Sequence, residues 1–166
     1  MMTFSEMELR VLDMLSGSAV ADTKALSVRL GISEAQAQAA VTALHDKGAM
    51  LGYTAHIDWS RVGREDVQAL IEVRVSPQRD RGFDTIAASM IRFDEVRSAY
   101  LVSGGFDIML IVEAMTLKEL AMFVSERLSV MDGVLSCATH FVLKKYKSEG
   151  IILGDAGDDE RLAVCP

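Results

Sequence analysis

Apolar residues recur at two different periods along this chain, and the change falls near residue 58. In the first stretch Met7, Val11, Leu12 and Leu15 repeat at helical spacing. They follow Ser5-Glu6-Met7-Glu8, a capping box in which the hydroxyl accepts a helical N–H while the Glu8 carboxylate reaches back. Gly17 offers a stop. Asp22 caps a second short helix, Thr23 to Leu30, with Leu26 and Leu30 on one side and Gly31 at its end. Ser33 to Gln36 is another capping box, opening a third helix whose buried stripe is Ala37, Ala40, Val41 and Leu44. Gly48 closes it. Met50 to Ile57 then alternates, with Leu51, Tyr53, Ala55 and Ile57 on one side, and predicts an extended wing strand. Three short helices followed by such a strand is the order of a winged helix-turn-helix.

Asp58 to Asp66 is polar, contains Gly63 and reads as a hinge. Beyond it the pattern predicts a strand from Val67 to Val75, broken by Pro77, and a helix from Phe83 to Phe93. A strand from Val96 to Ser103, a Gly104-Gly105 turn and a strand from Asp107 to Glu113 follow. Thr116-Leu117-Lys118-Glu119 is a further capping box, starting a helix that runs to about Met131. Asp132-Gly133 turns the chain into a last strand, Val134 to Tyr146. This β-α-β-β-α-β order is the split βαβ sandwich of the ferredoxin type. From Glu149 onward Gly150, Gly154, Gly157 and the cluster Asp155, Asp158, Asp159 and Glu160 predict a disordered acidic tail. The expected organisation is therefore α+β: a winged helix-turn-helix over 1–57, a hinge over 58–66, a ferredoxin-like domain over 67–148 and a tail over 149–166. In the last strand Val134, Ala138 and Val142 fall on one side, and Leu135, Cys137, Phe141 and Leu143 on the other. Two helices cover only one face of a four-stranded sheet, so a second copy of the same sheet is the simplest partner for the other.

Charge qualifies this picture. The net charge is −7 and the pI about 4.9, and none of the expected domains is basic. Only a docking face must be positive in a DNA binder, but phosphate neutralisation supplies most nonspecific affinity. The third helix, Ser33 to Lys47, holds one Lys and no Arg. No apolar run is long enough to span a bilayer, and no signal peptide precedes the first helical pattern. Cys137, in an apolar strand, and Cys165, beside the C-terminus, make no disulfide framework, so a reduced cytoplasmic protein is expected. His45, His56 and His140 are far apart and have no cysteine at ligand spacing, which argues against a metal site. His140 reads as a buried, hydrogen-bonded residue. Arg79, Arg81 and Arg92 read as solvated or paired with Asp80, Asp84 and Asp94.

The order of elements resembles the leucine-responsive regulator/AsnC (Lrp/AsnC) family of amino-acid-sensing transcription regulators, over roughly residues 4 to 147. The most specific pieces are Leu51-Gly52-Tyr53-Thr54-Ala55-His56-Ile57-Asp58 after the third helix, and Tyr100-Leu101-Val102-Ser103-Gly104-Gly105-Phe106-Asp107-Ile108-Met109-Leu110 with its Gly-x-x-Asp. The resemblance implies a RAM-type second domain that binds a small amino acid or related carboxylate near this hairpin and across a subunit interface. It also implies a homodimer, a higher ring such as an octamer, and neither a catalytic residue nor a cofactor. By position it points to Ser103, Gly104, Gly105, Asp107, Ser136 and Thr139 for the effector. Glycine admits a ligand close to backbone N–H groups that suit a carboxylate, and an acid pairs with an ammonium. Gly104-Gly105 also suits a plain hairpin turn, with Asp107 accepting turn N–H groups. For double-stranded DNA the candidates are Ser33, Gln38, Thr42, Lys47 and Lys24. Gln38 is able to pair with adenine and Thr42 to touch a thymine methyl, although Gln38 also suits a solvated helix face. The family's basic positions on the third helix correspond here to Ala39, Ala40 and Ala43. This departure keeps a second reading open: a metabolite sensor, or an enzyme akin to the haem-pathway decarboxylases, on the same scaffold with reduced DNA binding.

Overall fold

The structure, a computed structural model, describes residues 3–16, 22–64, 66–76 and 82–153. Gly17, Pro77, Arg79, Asp80, Arg81, Cys165 and the acidic cluster of the expected tail lie outside these. The chain divides into two compact units, Met1–Ile57 and Asp58–Pro166.

The first unit holds α1 (Glu6–Ser16), α2 (Thr23–Leu30) and α3 (Glu34–Asp46). Their stripes meet in one core of Val11, Leu26, Leu30, Ala37, Ala40, Val41, Leu44 and Met50. Local chemistry sets the ends. Ser5 and Glu8 exchange two bonds, of 2.7 and 3.2 Å, across the start of α1. Asp22 accepts from the Lys24 N–H at 3.0 Å, and Gly31 ends α2 in the left-handed region that glycine tolerates. Ser33 and Gln36 complete the capping box of α3. The expected wing is not a strand. Met50 is buried, its N–H and that of Ala49 bonded to the Leu44 carbonyl, but 51–57 form no ladder and Leu51 is 92% exposed. A strand needs a neighbour to complete its hydrogen bonds, and no described segment supplies one.

The second unit begins with a 3₁₀ turn, Trp59–Val62. It continues with β1 (Val67–Val75), α4 (Phe83–Met90), β2 (Val96–Leu101), β3 (Ile108–Ala114), α5 (Leu117–Met122) and β4 (Val134–Phe141). The sheet order is β2-β3-β1-β4, every pair antiparallel. Ala69, Ile71, Val73 and Val75 alternate onto one face of β1. With Ile108, Leu110 and Val112 they pack against Ile86, Met90, Leu120, Phe123 and Leu128 from the helices.

Three details differ from the sequence pattern. First, α5 passes into a π turn, Phe123–Leu128, sealed by the Ser129 N–H on the Val124 carbonyl at 2.9 Å. Leu120, Phe123 and Leu128 are all buried, and the step of five from Phe123 to Leu128 would leave the core face in an α-helix. The wider π turn brings it back. Second, the register on β1 jumps from Arg74↔Ser136 to Val75↔Val134, so Leu135 bulges outward at 68% exposure. Val134 thereby joins Cys137 against the core instead of sharing a face with Ala138. Third, β4 stops at Phe141. Lys147–Ser148 (β5) and Ile151–Ile152 (β6) form a hairpin where the tail was expected to begin. Glu149 and Gly150 both adopt positive φ, 47° and 82°, as a type I′ turn requires.

The open face of the sheet is not the continuous apolar surface that the last strand suggested. It interleaves Leu70, Met109, Ile111 and Ala138 with Gln68, Glu72, Arg74 and Glu113. His140 lies there too, exposed rather than buried, its Nε2 3.2 Å from the Glu72 carboxylate.

Candidate functional site

On the first unit the residues proposed for DNA fall on the solvent side of α3. Its buried stripe turns Ala35, Gln38, Ala39, Thr42 and Asp46 outward. The Gln38 amide donates to the Thr42 hydroxyl at 3.4 Å, so the two polar groups one turn apart steady each other. Ser33 is occupied as the cap of α3, its hydroxyl accepting the Gln36 N–H. Lys24 is exposed and has no ion pair to a described residue.

Lys47 is held elsewhere. Its ammonium lies 2.6 and 2.8 Å from the two oxygens of Glu8, 3.2 Å from the Thr3 carbonyl and 5.3 Å from the centre of the Phe4 ring. Glu8 is 6% exposed. The Lys47 bond, followed by the Ser5 N–H, holds its carboxyl below the ordinary value, outweighing desolvation. The pair ties the start of α1 to the end of α3. The sequence signal was available: Glu8 sits one residue from the stripe of α1, where a carboxylate needs a partner.

On the second unit the candidate effector residues gather, with one exception, at the end of β1. Ser103, Gly104 and Gly105 are exposed in the loop between β2 and β3. Its base is closed by the Val102 N–H on the Asp107 carbonyl at 2.9 Å, and the Asp107 N–H bonds the Val73 carbonyl at 3.1 Å. The Asp107 carboxylate accepts from the Val75 N–H at 2.9 Å through Oδ2, and its other oxygen meets no described donor. Neither loop glycine has a positive φ, and a Cβ placed on either would meet nothing within 4 Å. The fold of a single chain therefore does not demand glycine at either place. Among the described residues, the N–H groups of 103–106 also bond no backbone carbonyl. Free N–H groups on a backbone open to close approach are what an incoming carboxylate or a second chain would use.

Ser136 flanks the same end of β1 from the other side, paired with Arg74 on the open face. Thr139 does not join them. It pairs with Ile71, so it lies on the helix side of the sheet, half-buried. Arg74 is the residue that inspection of the loop alone missed. It is exposed, beside Ser136 and near the Asp107 bond to Val75, and it offers a planar donor for a carboxylate. Its signal was the charged pair Glu72 and Arg74, alternating with buried Ile71, Val73 and Val75. Cys137 lies on the other face, where burial pushes its thiol up against the opposing Ser129 hydroxyl bond. No group of three His, Cys, Asp or Glu among the described residues is placed to hold a metal.

With this geometry in view, residues 68–152 match the family described as the Lrp/AsnC ligand binding domain. A protein of Bacillus subtilis described as an uncharacterized HTH-type transcriptional regulator, YugG, is 37% identical over 166 residues. The alignment covers 99% of this chain and 100% of that protein. The HTH-type transcriptional regulator LrpA of Pyrococcus horikoshii is 30% identical over 137 residues, 82% of this chain and 94% of its own length. Among solved structures, a Neisseria meningitidis transcriptional regulator in complex with L-Met superposes with a TM-score of 0.70 at 25% identity, covering 88% of this chain and 94% of that one.

Proposed function

The chain belongs to the Lrp/AsnC family, and from that premise we propose that it is a cytoplasmic, amino-acid-responsive, DNA-binding transcription regulator and not an enzyme. The first unit is the helix-turn-helix reader. It docks α3 on DNA, with Gln38 and Thr42 toward base edges and Ser33 and Lys24 toward the backbone. The second unit is the sensor and the assembly domain, a homodimer or a higher ring such as an octamer. The effector is a small amino acid, or a related carboxylate, held at the end of β1 by the loop Ser103–Asp107 with Ser136 beside it; Thr139, on the helix side of the sheet, is not part of this site.

One observation carries the sensing part: two glycines that the fold of the single chain does not require, in a loop with unpaired N–H groups, next to a carboxylate with a free oxygen. The test is calorimetry of the full chain against the twenty amino acids. One or a few should bind, and Gly104→Ala should weaken that binding at least about tenfold, or 1.4 kcal/mol, while leaving the melting temperature in place. Binding unaffected by Gly104→Ala would move the site away from this loop.

A second reading is favoured by the outer face of α3, which turns Ala35, Gln38, Ala39, Thr42 and Asp46 to solvent and carries no Lys or Arg, and by the capture of Lys47 by Glu8. On that reading the scaffold is a metabolite sensor, or an enzyme on the same fold, with reduced DNA binding. A chain that binds an amino acid but no duplex at any salt concentration would establish it.

A further inference from the structure

The densest run of positive charge in the chain is not on α3 but on the second unit, in Lys144-Lys145-Tyr146-Lys147, directly after β4. One end is tied to the sheet, and the other is closed on itself as a hairpin. The Val142 N–H bonds the Gln68 carbonyl at 2.8 Å, and the Leu153 N–H bonds the Tyr146 carbonyl at 3.0 Å. Lys147 pairs with Ile152 in the hairpin that the Glu149-Gly150 turn closes. Tyr146 is 71% exposed, with the Lys144 ammonium 5.0 Å from its ring centre.

This strap adjoins a second group of cations. Glu113, near the end of β3, is shared by Arg97 at 3.0 Å and Lys145 at 3.5 Å, and it accepts the Gln68 amide at 2.8 Å. Its charge is also felt by Arg64, which is itself paired with Asp66 at 2.9 Å. With Glu149 of the hairpin turn counted, five cations stand against three carboxylates, and Lys144 and Lys147 have no ion pair to any described residue. A local excess of this sign in a chain of net charge −7 marks a surface for a polyanion.

We propose that this basic strap, Lys144, Lys145 and Lys147 with Arg97 beside them, is a phosphate-contacting surface for duplex DNA on the second unit. It supplies the sequence-independent attraction that α3 lacks. The assignment rests on the reading of the chain as a DNA-binding regulator. It divides the work as protein–DNA interfaces do, with phosphate contacts giving affinity and register and base-edge contacts giving sequence. Glu113 moderates the patch, since its carboxylate neutralises one of the two cations it holds.

The experiment uses the full-length chain and anisotropy titration over a range of salt. The duplexes are the region upstream of its own coding sequence and a scrambled duplex of equal length. Wild type should bind both. The variant Lys144→Gln/Lys145→Gln/Lys147→Gln should lose affinity for both by a similar factor, at least about tenfold near 0.1 M salt. Its salt slope should be shallower by about 0.9 for each lysine that touches phosphate. Lys144→Arg/Lys145→Arg/Lys147→Arg should bind as wild type does. Glu113→Gln, with its assembly mass by light scattering the same as wild type, should bind more tightly and with a steeper slope, which a merely structural role would not produce.

Unchanged affinity and slope in the glutamine variant, with wild type binding, would overturn the strap while leaving the regulator reading intact. Loss of binding in both the glutamine and the arginine variants would also overturn it, by tracing the effect to folding. Wild type binding neither duplex, with or without amino acids, would remove the regulator reading and the strap together. Vesicles of phosphatidylserine and phosphatidylcholine, mixed 3:7, serve as the alternative polyanion. Lysine-dependent binding to these with DNA binding unaffected would reassign the surface to a membrane.

Discussion

At the scale of single residues, two carboxylates have partners that decide what they do. Glu8 is almost fully covered and its pKa is lowered, first by Lys47 and then by the Ser5 N–H. A carboxyl lowered on folding contributes stability that is fully present above its unfolded value near 4.5 and is lost as pH falls through the lowered folded value. The first unit should therefore lose thermal stability below about pH 4.5. Glu8→Gln should be less stable near neutrality and flatter on the acid side. Melts followed by circular dichroism from pH 7 to 2.5 check this, and an acid limb as steep as wild type in the variant would contradict it. Asp107 accepts the N–H of Val75, which is 5% exposed. Asp107→Ala leaves that donor unpaired, at about 1–3 kcal/mol. Urea denaturation should register this loss without ligand present, which makes Gly104→Ala the cleaner probe of binding. Both of the roles that the sequence left open for Asp107 are compatible with this geometry, because one oxygen is committed to the fold and the other is not.

At the scale of elements, the glycines separate by what surrounds them. Gly133 turns the chain into β4 at φ 88°, and a Cβ there would lie 2.9 Å from Ile86 Cδ1. Gly133→Ala combines a left-handed backbone with overpacking of α4, each on the order of 1–3 kcal/mol. Its melting temperature should fall by several degrees, whereas Gly104→Ala, open on every side, should not move. Equal effects at the two positions would contradict the contrast. The capping boxes at Ser5/Glu8, Ser33/Gln36 and Thr116/Glu119 were legible because their partners are three residues apart and need nothing else. The bulge at Leu135, the π turn after Met122 and the hairpin at Glu149-Gly150 were not. The first two answer to residues distant in sequence: β1 sets the register that expels Leu135, and the sheet core demands Leu128. In the third, composition suggested a tail, and the turn chemistry of two positive-φ residues prevailed. The stretch 51–57 alternates as a strand does, but alternation fixes only which side chains share a face and cannot provide a neighbouring strand. The candidate loop was legible as Gly-x-x-Asp. The neighbourhood of Arg74 and Ser136 was not, because strand pairing creates it.

At the scale of the whole molecule, the open sheet face is the surface on which the proposed assembly rests. Leu70, Met109, Ile111 and Ala138 offer apolar contact, and Glu72, Arg74, Gln68 and Glu113 set polar conditions on any partner. A second copy of the same face meets both conditions by symmetry. Light scattering after size exclusion should report a dimer or a multiple of it at micromolar concentration, and a clean 18 kDa species would contradict that. Sensing and DNA binding are coupled only if the amino acid favours one assembled state over another, since a ligand with equal affinity for both shifts nothing. The most direct measurement is therefore a titration of the upstream duplex with the full chain, in the absence and presence of each amino acid that binds by calorimetry. The account predicts that at least one of them changes the apparent DNA affinity by a factor in the range of about 5–150, with the same factor appearing in amino-acid affinity when DNA is present. An affinity for DNA that no amino acid alters, measured on protein that demonstrably binds one, would contradict it.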